Sequence, residues 1–380
     1  MTGRLDELLD DIRRLVECES PSDDLEAVSR SADVVSAVGL ARLGVAPERI
    51  VVEGRTHLRW RLGTGPSRVL LLAHHDTVWP RGTLARRPFS VSDGVLRGPG
   101  CFDMKVGLVM ALHAAAGLEG VTVLVTGDEE LGSPSSRELI EQEAAGVSAA
   151  LVLEASADGG ALKTERKGVS LYEVVLAGRA AHAGLEPEKG VNATLELAHQ
   201  SLALAALADP GAGTTVTPTA ARSGTTTNTV PAASRVAVDV RVRTVAEQDR
   251  VDAAVRALEP VLEGAGITVE GGPNRPPLEG RSSAALFERA VAVAAALGQP
   301  APTSAAVGGA SDGNVTAGVG APTLDGLGAV GGGAHAEDEH VLVDHLVPRT
   351  QLLRALVVDV LGEPLAATPS PAAGHEGARR

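Results

Sequence analysis

The chain has 380 residues, 44% hydrophobic and 22% charged, a balance that suits a soluble globular protein of about two domains. Its 48 acidic residues against 34 basic ones leave a formal net charge of -14, which argues against a nucleic-acid or membrane partner. Two distant cysteines, Cys18 and Cys101, exclude a disulfide scaffold and favour a reducing compartment. The N-terminus lacks the apolar core of a signal peptide, and no stretch approaches the roughly 20 apolar residues of a membrane span, so a cytoplasmic location is expected.

Helical periodicity predicts amphipathic helices over 4–17 and 23–43, divided by Ser20-Pro21-Ser22. Short strands follow around Ile50 to Val52 and His57 to Leu62. The apolar run Val69 to Ala73 then ends in His74, His75 and Asp76. Residues two apart on a strand share a face, so His74 and Asp76 can stand side by side while His75 packs on the other face. That unit is either polar punctuation at a strand end or the first corner of a metal site, where a histidine needs an orienting carboxylate. A connection over 80–100 leads through Cys101-Phe102-Asp103-Met104-Lys105 into an alanine-rich helix to about Leu118. Val121 to Thr126 is a strand ending in Gly127-Asp128-Glu129-Glu130, with Ser135 and Ser136 placed to cap a helix over Arg137 to Glu143. Ala149 to Leu153 is a buried strand ending at Glu154. This alternation predicts an α/β sheet covered on both faces.

Near Gly168 the pattern changes to strand, helix, two strands, helix, strand, with helices near Gly190 to Ala208 and Ala246 to Glu263 and a last strand at Ile267 to Glu270. This predicts a smaller α+β, ferredoxin-like unit inserted into the first domain, with the loop Gly271 to Glu279 as its exit. The expected division is a catalytic domain over 1–167 and 278–363, an insert over 168–277, and a disordered tail over 364–380. A helix from Ser282 to Leu297 and another from about Pro348 to Leu361 complete the catalytic domain.

Three apolar strands thus end in His74, Glu129-Glu130 and Glu154, and ligands of α/β sheets bind where carboxyl ends of strands converge. The ordered motifs HHDTV, GPGCFDMK, GDEELGS, RAAHAG and GGGAHAEDE, with the longer stretches DTVWPRGTLARRPF and HAGLEPEKGVNA, resemble a dinuclear zinc metallopeptidase family. That family includes aminoacylase, acetylornithine deacetylase, succinyl-diaminopimelate desuccinylase and bacterial glutamate carboxypeptidase, and the likeness is strongest to the last branch. It covers about residues 5–362 and implies a catalytic domain with a central mixed sheet flanked by helices, plus an inserted lid and dimerisation domain.

The resemblance further implies that Asp103 bridges two Zn2+ ions, with Co2+ or Mn2+ as substitutes. His74 and Glu154 would complete one shell, and Glu130 and His335 the other. Asp76 would hold His74, and Glu129 would be the general base. Mixed imidazole and carboxylate donors suit catalytic zinc, and paired ions polarise a carbonyl and acidify water. A cis peptide at Asp103-Met104 is also implied. Met104 stands where many relatives carry Asp, and Ala155 where Pro is usual. Of the other histidines, His57, His113, His199 and His375 are read as surface or helix residues, and His340 and His345 are rivals of His335.

On the substrate side, the resemblance implies that His182 and Asn228 cross into a partner's site in a homodimer built through the insert, steadying the oxyanion. Arg275 would pair with the substrate's carboxylate, and Gly309 belongs to the loop beside it. The expected activity is hydrolysis of an amide releasing an amino acid with a free carboxylate, glutamate carboxypeptidase-like; the alternative is an N-acyl-amino-acid deacylase. A relative that has lost catalysis is disfavoured by Glu129, and a nucleotide binder by the spacing of the glycine clusters.

Overall fold

The computed structural model describes residues 2–362; the expected disordered tail and His375 lie outside them. The strand Val69–His74 is buried at every position. It runs parallel to Val121–Thr126 on one side and to Ala149–Val152 on the other. Val69, Leu71 and Ala73 join a core beneath the helix Val106–Ala115 and the C-terminal helix Leu346–Gly362, while Leu70 and Leu72 face Leu139, Ile140 and Val315. With both faces covered by helices, a continuous apolar run is what such a strand requires. Thr323–Leu324 extends the sheet in parallel beyond Ala149–Val152. Antiparallel strands Arg55–Leu62 and Glu48–Val52 close its other edge, so the sheet is mixed.

A second sheet joins, in spatial order, Thr215–Ser223, Ala233–Val242, Gly168–Ala177 and Gly266–Arg275, all antiparallel. Helices Ala193–Ala205 and Val245–Arg256 supply the connections, a ferredoxin-like arrangement. Its apolar cluster, with Val174, Leu176, Val238 and Val240, shares no buried residue with the clusters of the larger sheet. The chain enters and leaves this unit side by side. Arg166 N–H donates to the Leu278 carbonyl at 3.0 Å, and Leu278 N–H donates to Arg166 at 3.1 Å.

Several details differ from the sequence reading. The second of these helices stops at Arg256 rather than Glu263, because Pro260 disfavours helical backbone at Glu259 and removes an N–H. The last strand continues to Arg275 through an irregularity near Pro273, so Arg275 ends a strand instead of sitting in a loop. Ser136 makes no capping bond to the helix Arg137–Ala144. Both serine hydroxyls donate instead to the buried Asp128, at 2.6 Å from Ser135 and 2.5 Å from Ser136. Among the described residues no helix is long and apolar enough to cross a membrane.

Candidate metal centre

Three of the expected metal ligands sit where a strand stops or just beyond, and Asp103 lies within the short helical turn Cys101–Lys105. His74 is the last residue of its strand. Glu129 and Glu130 open a single 3-10 turn that follows Val121–Thr126 after Gly127 and Asp128. A Cβ at Gly127 would lie 2.6 Å from the Thr56 carbonyl and 3.0 Å from His75 Nε2, so only glycine lets the chain turn this tightly here. Glu154 follows Ala149–Val152 by two residues. His335 adopts a φ of 61°, which turns its ring back from the loop after Gly331–Gly332.

These positions converge. His74 Nε2 lies 3.4 Å from Asp103 Oδ1 and 3.7 Å from Glu154 Oε1. His335 Nε2 lies 3.2 Å from Asp103 Oδ2 and 3.3 Å from Glu130 Oε2. The two oxygens of Asp103 therefore face two different histidines. Donor atoms of His74, Asp103 and Glu130 fall within 4.8 Å of one another, as do those of His74, Glu129 and Glu154. His340 and His345 are not in these groups; the His340 ring bonds the Asp338 carbonyl at 2.9 Å. The Asp103-Met104 peptide is cis, as the resemblance implies.

The carboxylates and histidines of the cluster shift one another's protonation. Burial pushes the Asp103 carboxyl up, but the neighbouring His335 and His74 more than offset it and hold the group far below the usual range. His335 is pushed up to about 10 by its bonds to Asp103 and Glu130. Burial opposes the charged form of His74, yet Asp103 and Asp76 raise it well above its ordinary value. Burial, reinforced by Asp103, lifts Glu154 to about 7. His74 Nε2 and Glu130 Oε1 are both buried without a hydrogen-bond partner. Two orphaned donor atoms in a ring of carboxylates fit divalent cations, which would satisfy both.

The supports around the cluster were only partly legible. Asp76 Oδ1 lies 3.4 Å from His74 Nδ1 and accepts the Glu129 N–H at 3.2 Å, while Oδ2 accepts from Ser22 at 2.7 Å and from Glu130 N–H at 3.2 Å. His74 Nδ1 bonds the Asp76 main-chain carbonyl at 3.0 Å, so Asp76 orients His74 through its backbone as well as its side chain, while its carboxylate pins the glutamate turn. Glu339, fully buried, accepts from the N–H groups of Gly100, Phe102 and Asp103 at 3.0, 2.9 and 3.2 Å, and from the Trp79 indole at 2.8 Å. The sequence reading passed over it; the signal was a third acid in the run Glu337-Asp338-Glu339 after His335. Gly331 is required by pairing: a Cβ there would lie 2.0 Å from the His340 carbonyl.

His57, expected at the surface, is buried on the strand Arg55–Leu62. It accepts from Gly127 N–H at 3.2 Å and lies 3.2 Å from the Ser135 hydroxyl, packing behind the glutamate turn. His75 is buried and bonds Ser31 and the Thr56 carbonyl, both at 3.1 Å.

Arg275 is buried, with Nη1 donating to Glu129 Oε1 at 3.0 Å and Nη2 to Ser133 and Asp312 at 2.7 and 3.2 Å. Burial pushes the Glu129 carboxyl well above the usual range, against the pull of Arg275. Gly309 accepts from Arg166 Nη1 at 3.1 Å, and Arg166 Nη2 lies 3.7 Å from Glu154. His182 and Asn228 are exposed and adjacent: His182 ends the strand Ala181–His182 paired with Thr229–Val230, and Asn228 just before that partner accepts from Ala183 N–H at 2.9 Å. No hydrogen bond or ion pair among the described residues joins either to the cluster.

The profile of the family described as Peptidase family M20/M25/M40 matches residues 70–359. Carboxypeptidase G2 of Pseudomonas sp. (strain RS-16) is 30% identical over 370 residues, 92% of this chain and 88% of its own. The aminopeptidase PepT structure from Bacillus cereus superposes with a TM-score of 0.72 at 20% identity, covering 94% of this chain and 99% of that one. The YXEP protein of Bacillus subtilis, a dinuclear metal-binding M20 peptidase, gives 0.63 at 17% identity, covering 95% and 99%; at such identities the likeness concerns the fold. The family is metal-dependent, and with this cluster, this mixed sheet and this match, the chain belongs to the M20 family of metallopeptidases and amidohydrolases.

Proposed function

We propose that the protein is a two-zinc hydrolase that cleaves an amide bond and releases an amino acid with a free carboxylate, as a glutamate carboxypeptidase does. The observation that carries this reading is Asp103, whose oxygens face His74 and His335 while Glu129 lies beside them. His74, Asp103 and Glu154 would hold one cation, and Asp103, Glu130 and His335 the other. Bound there, the cations supply Lewis acidity to the scissile carbonyl and to water. Glu129 takes the proton from the attacking water and hands it to the departing amine; its raised pKa suits a group that must give a proton back. Asp76 keeps His74 oriented.

Arg275 would receive the substrate's carboxylate and the Gly309 loop would flank it, with Arg275 exchanging its present partners Glu129 and Asp312 for the ligand. His182 and Asn228 would reach the oxyanion of a partner's site in a homodimer. Leu185 and Leu202, 75% and 74% exposed on the insert, support a surface that is covered in an assembly. The deciding experiment is hydrolysis of acyl-glutamates, dipeptides and N-acetyl amino acids by metal-stripped and zinc-restored protein. Activity confined to N-acetyl amino acids would favour the deacylase alternative, and none with any metal would refute the reading.

A further inference from the structure

The chain leaves the insert through Arg275-Pro276-Pro277-Leu278, and neither proline has an N–H to offer a neighbour. Hydrogen bonds to these two residues can therefore form only at their carbonyls, and the partner must be a donor. Asn314, fully buried on the short helix Asp312–Gly318, is that donor. Its Nδ2 donates to the Pro276 carbonyl at 2.8 Å and, on the entering crossing, to the Lys167 carbonyl at 3.1 Å. Its Oδ1 accepts from Ser311 N–H at 2.9 Å. One amide thus ties both crossings to the larger domain, with each of its polar groups matched.

The same turn holds Arg275 by its far end. Asp312 accepts from Arg275 Nη2 at 3.2 Å and is itself held by Thr126, also at 3.2 Å, and by Ser133. Ser311 donates to the buried Asp325 at 2.6 Å. The last turn of the helix touches the crossing as well: a Cβ at Gly318 would strike the Pro276 ring. Residues 311–314 therefore fix Arg275 twice, at its guanidinium and one residue beyond its backbone. A capping box needs only the acceptor oxygen of its third helical residue, which a carboxylate supplies equally well. The two donors of Asn314 serve the crossings. Among the described residues, no hydrogen bond joins Asn314 to the cluster itself.

We propose that Asn314 is a positioning residue for carboxylate recognition, setting where the Arg275 guanidinium stands against the substrate's free carboxylate. The inference rests on Arg275 being that carboxylate's partner, as proposed above. A guanidinium meets a carboxylate through two parallel N–H···O bonds, so a backbone displaced by about 1 Å spoils the match while leaving the metal donors in place.

The test compares N-benzoyl-glutamate with its α-carboxamide on zinc-loaded protein. It reads kcat/KM and, on Glu129→Gln with and without the Asn314 change, the calorimetric Kd. Wild-type protein should favour the free acid by about tenfold or more. Asn314→Asp keeps the capping acceptor but gives up the paired donors, and should cut that preference by about tenfold, mostly through KM for the free acid. Asn314→Ser, uncharged and shorter, should do the same, and it decides should the Asp variant fail to fold or to load zinc. Both compounds weakened equally, or a preference that neither variant moves at wild-type zinc content, would reduce Asn314 to a structural role and overturn the proposal. A wild-type protein indifferent to the carboxamide would remove Arg275 from its assigned role, and the proposal with it. Hydrolysis of neither compound would sink the hydrolase reading instead, and the calorimetric preference would still judge Asn314.

Discussion

Glu129 is the residue on which turnover should depend most directly. Glu129→Gln keeps the size and a hydrogen-bonding group for Arg275 but removes the proton acceptor. It should bind zinc with near-native affinity while losing about 10²–10⁴-fold in kcat, measured alongside metal content; full turnover would remove Glu129 from its assigned role. Arg275 serves Glu129 and Asp312 now and a substrate carboxylate by proposal. Arg275→Lys is therefore expected to lower kcat for an acyl-amino acid and its amide alike, and to raise KM for the free acid alone. The histidines add a pH dependence. Without metal, His335 keeps its proton up to about pH 10 and His74 well above its ordinary value. A cation must displace those protons, so zinc affinity should rise steadily between about pH 6 and pH 9, with protons released on binding. Chelator-competition titrations in two buffers of different ionisation enthalpy would check both.

At the scale of elements, the most informative piece is the turn from Gly100 to Asp103. Three of its N–H groups end on Glu339, so the Asp103 carboxylate is aimed by an acid more than 230 residues further along. Glu339→Gln, which retains one acceptor oxygen for four donors, should weaken zinc binding by about 10–100-fold and cost about 1–3 kcal/mol in stability, read by chelator titration and chemical denaturation.

The strands were legible because burial on both faces leaves an unbroken apolar run, as in Val69–His74, and because each run stops where a ligand begins. Of the five cluster residues, His74, Glu130 and Glu154 were legible as strand ends, and Asp103 and His335 as parts of spaced motifs. Their supports were not. Glu339 behind Asp103, Asp128 gathering two serines, and His57 behind Gly127 are partnerships between distant segments, and no local periodicity encodes them. Arg275 shows the same limit: a proline- and glycine-rich stretch reads as a loop, yet pairing with Gly168–Ala177 carries the strand through it.

At the scale of the whole molecule, the two sheets divide the proposed work. The larger presents the cluster at its strand ends. The unit built on the smaller carries His182 and Asn228 at a separate strand pair, where among the described residues no hydrogen bond or ion pair joins them to the cluster. If the site is completed by a second copy, mixing Glu129→Gln with His182→Ala protein should restore turnover that neither has alone. Gel filtration would accompany that test, and no recovery in a proven mixed dimer would confine His182 to its own subunit.

The reciprocal backbone bonds between Arg166 and Leu278 have a practical corollary for engineering. Because the two crossings run shoulder to shoulder, the intervening stretch behaves as a cassette whose removal leaves ends a few residues apart. A shortened protein in which a brief glycine linker joins Lys167 to Pro277 should still melt cooperatively and load zinc, yet be stripped of carboxylate selection along with Arg275. Such a minimal scaffold would accept foreign recognition modules in place of the excised one.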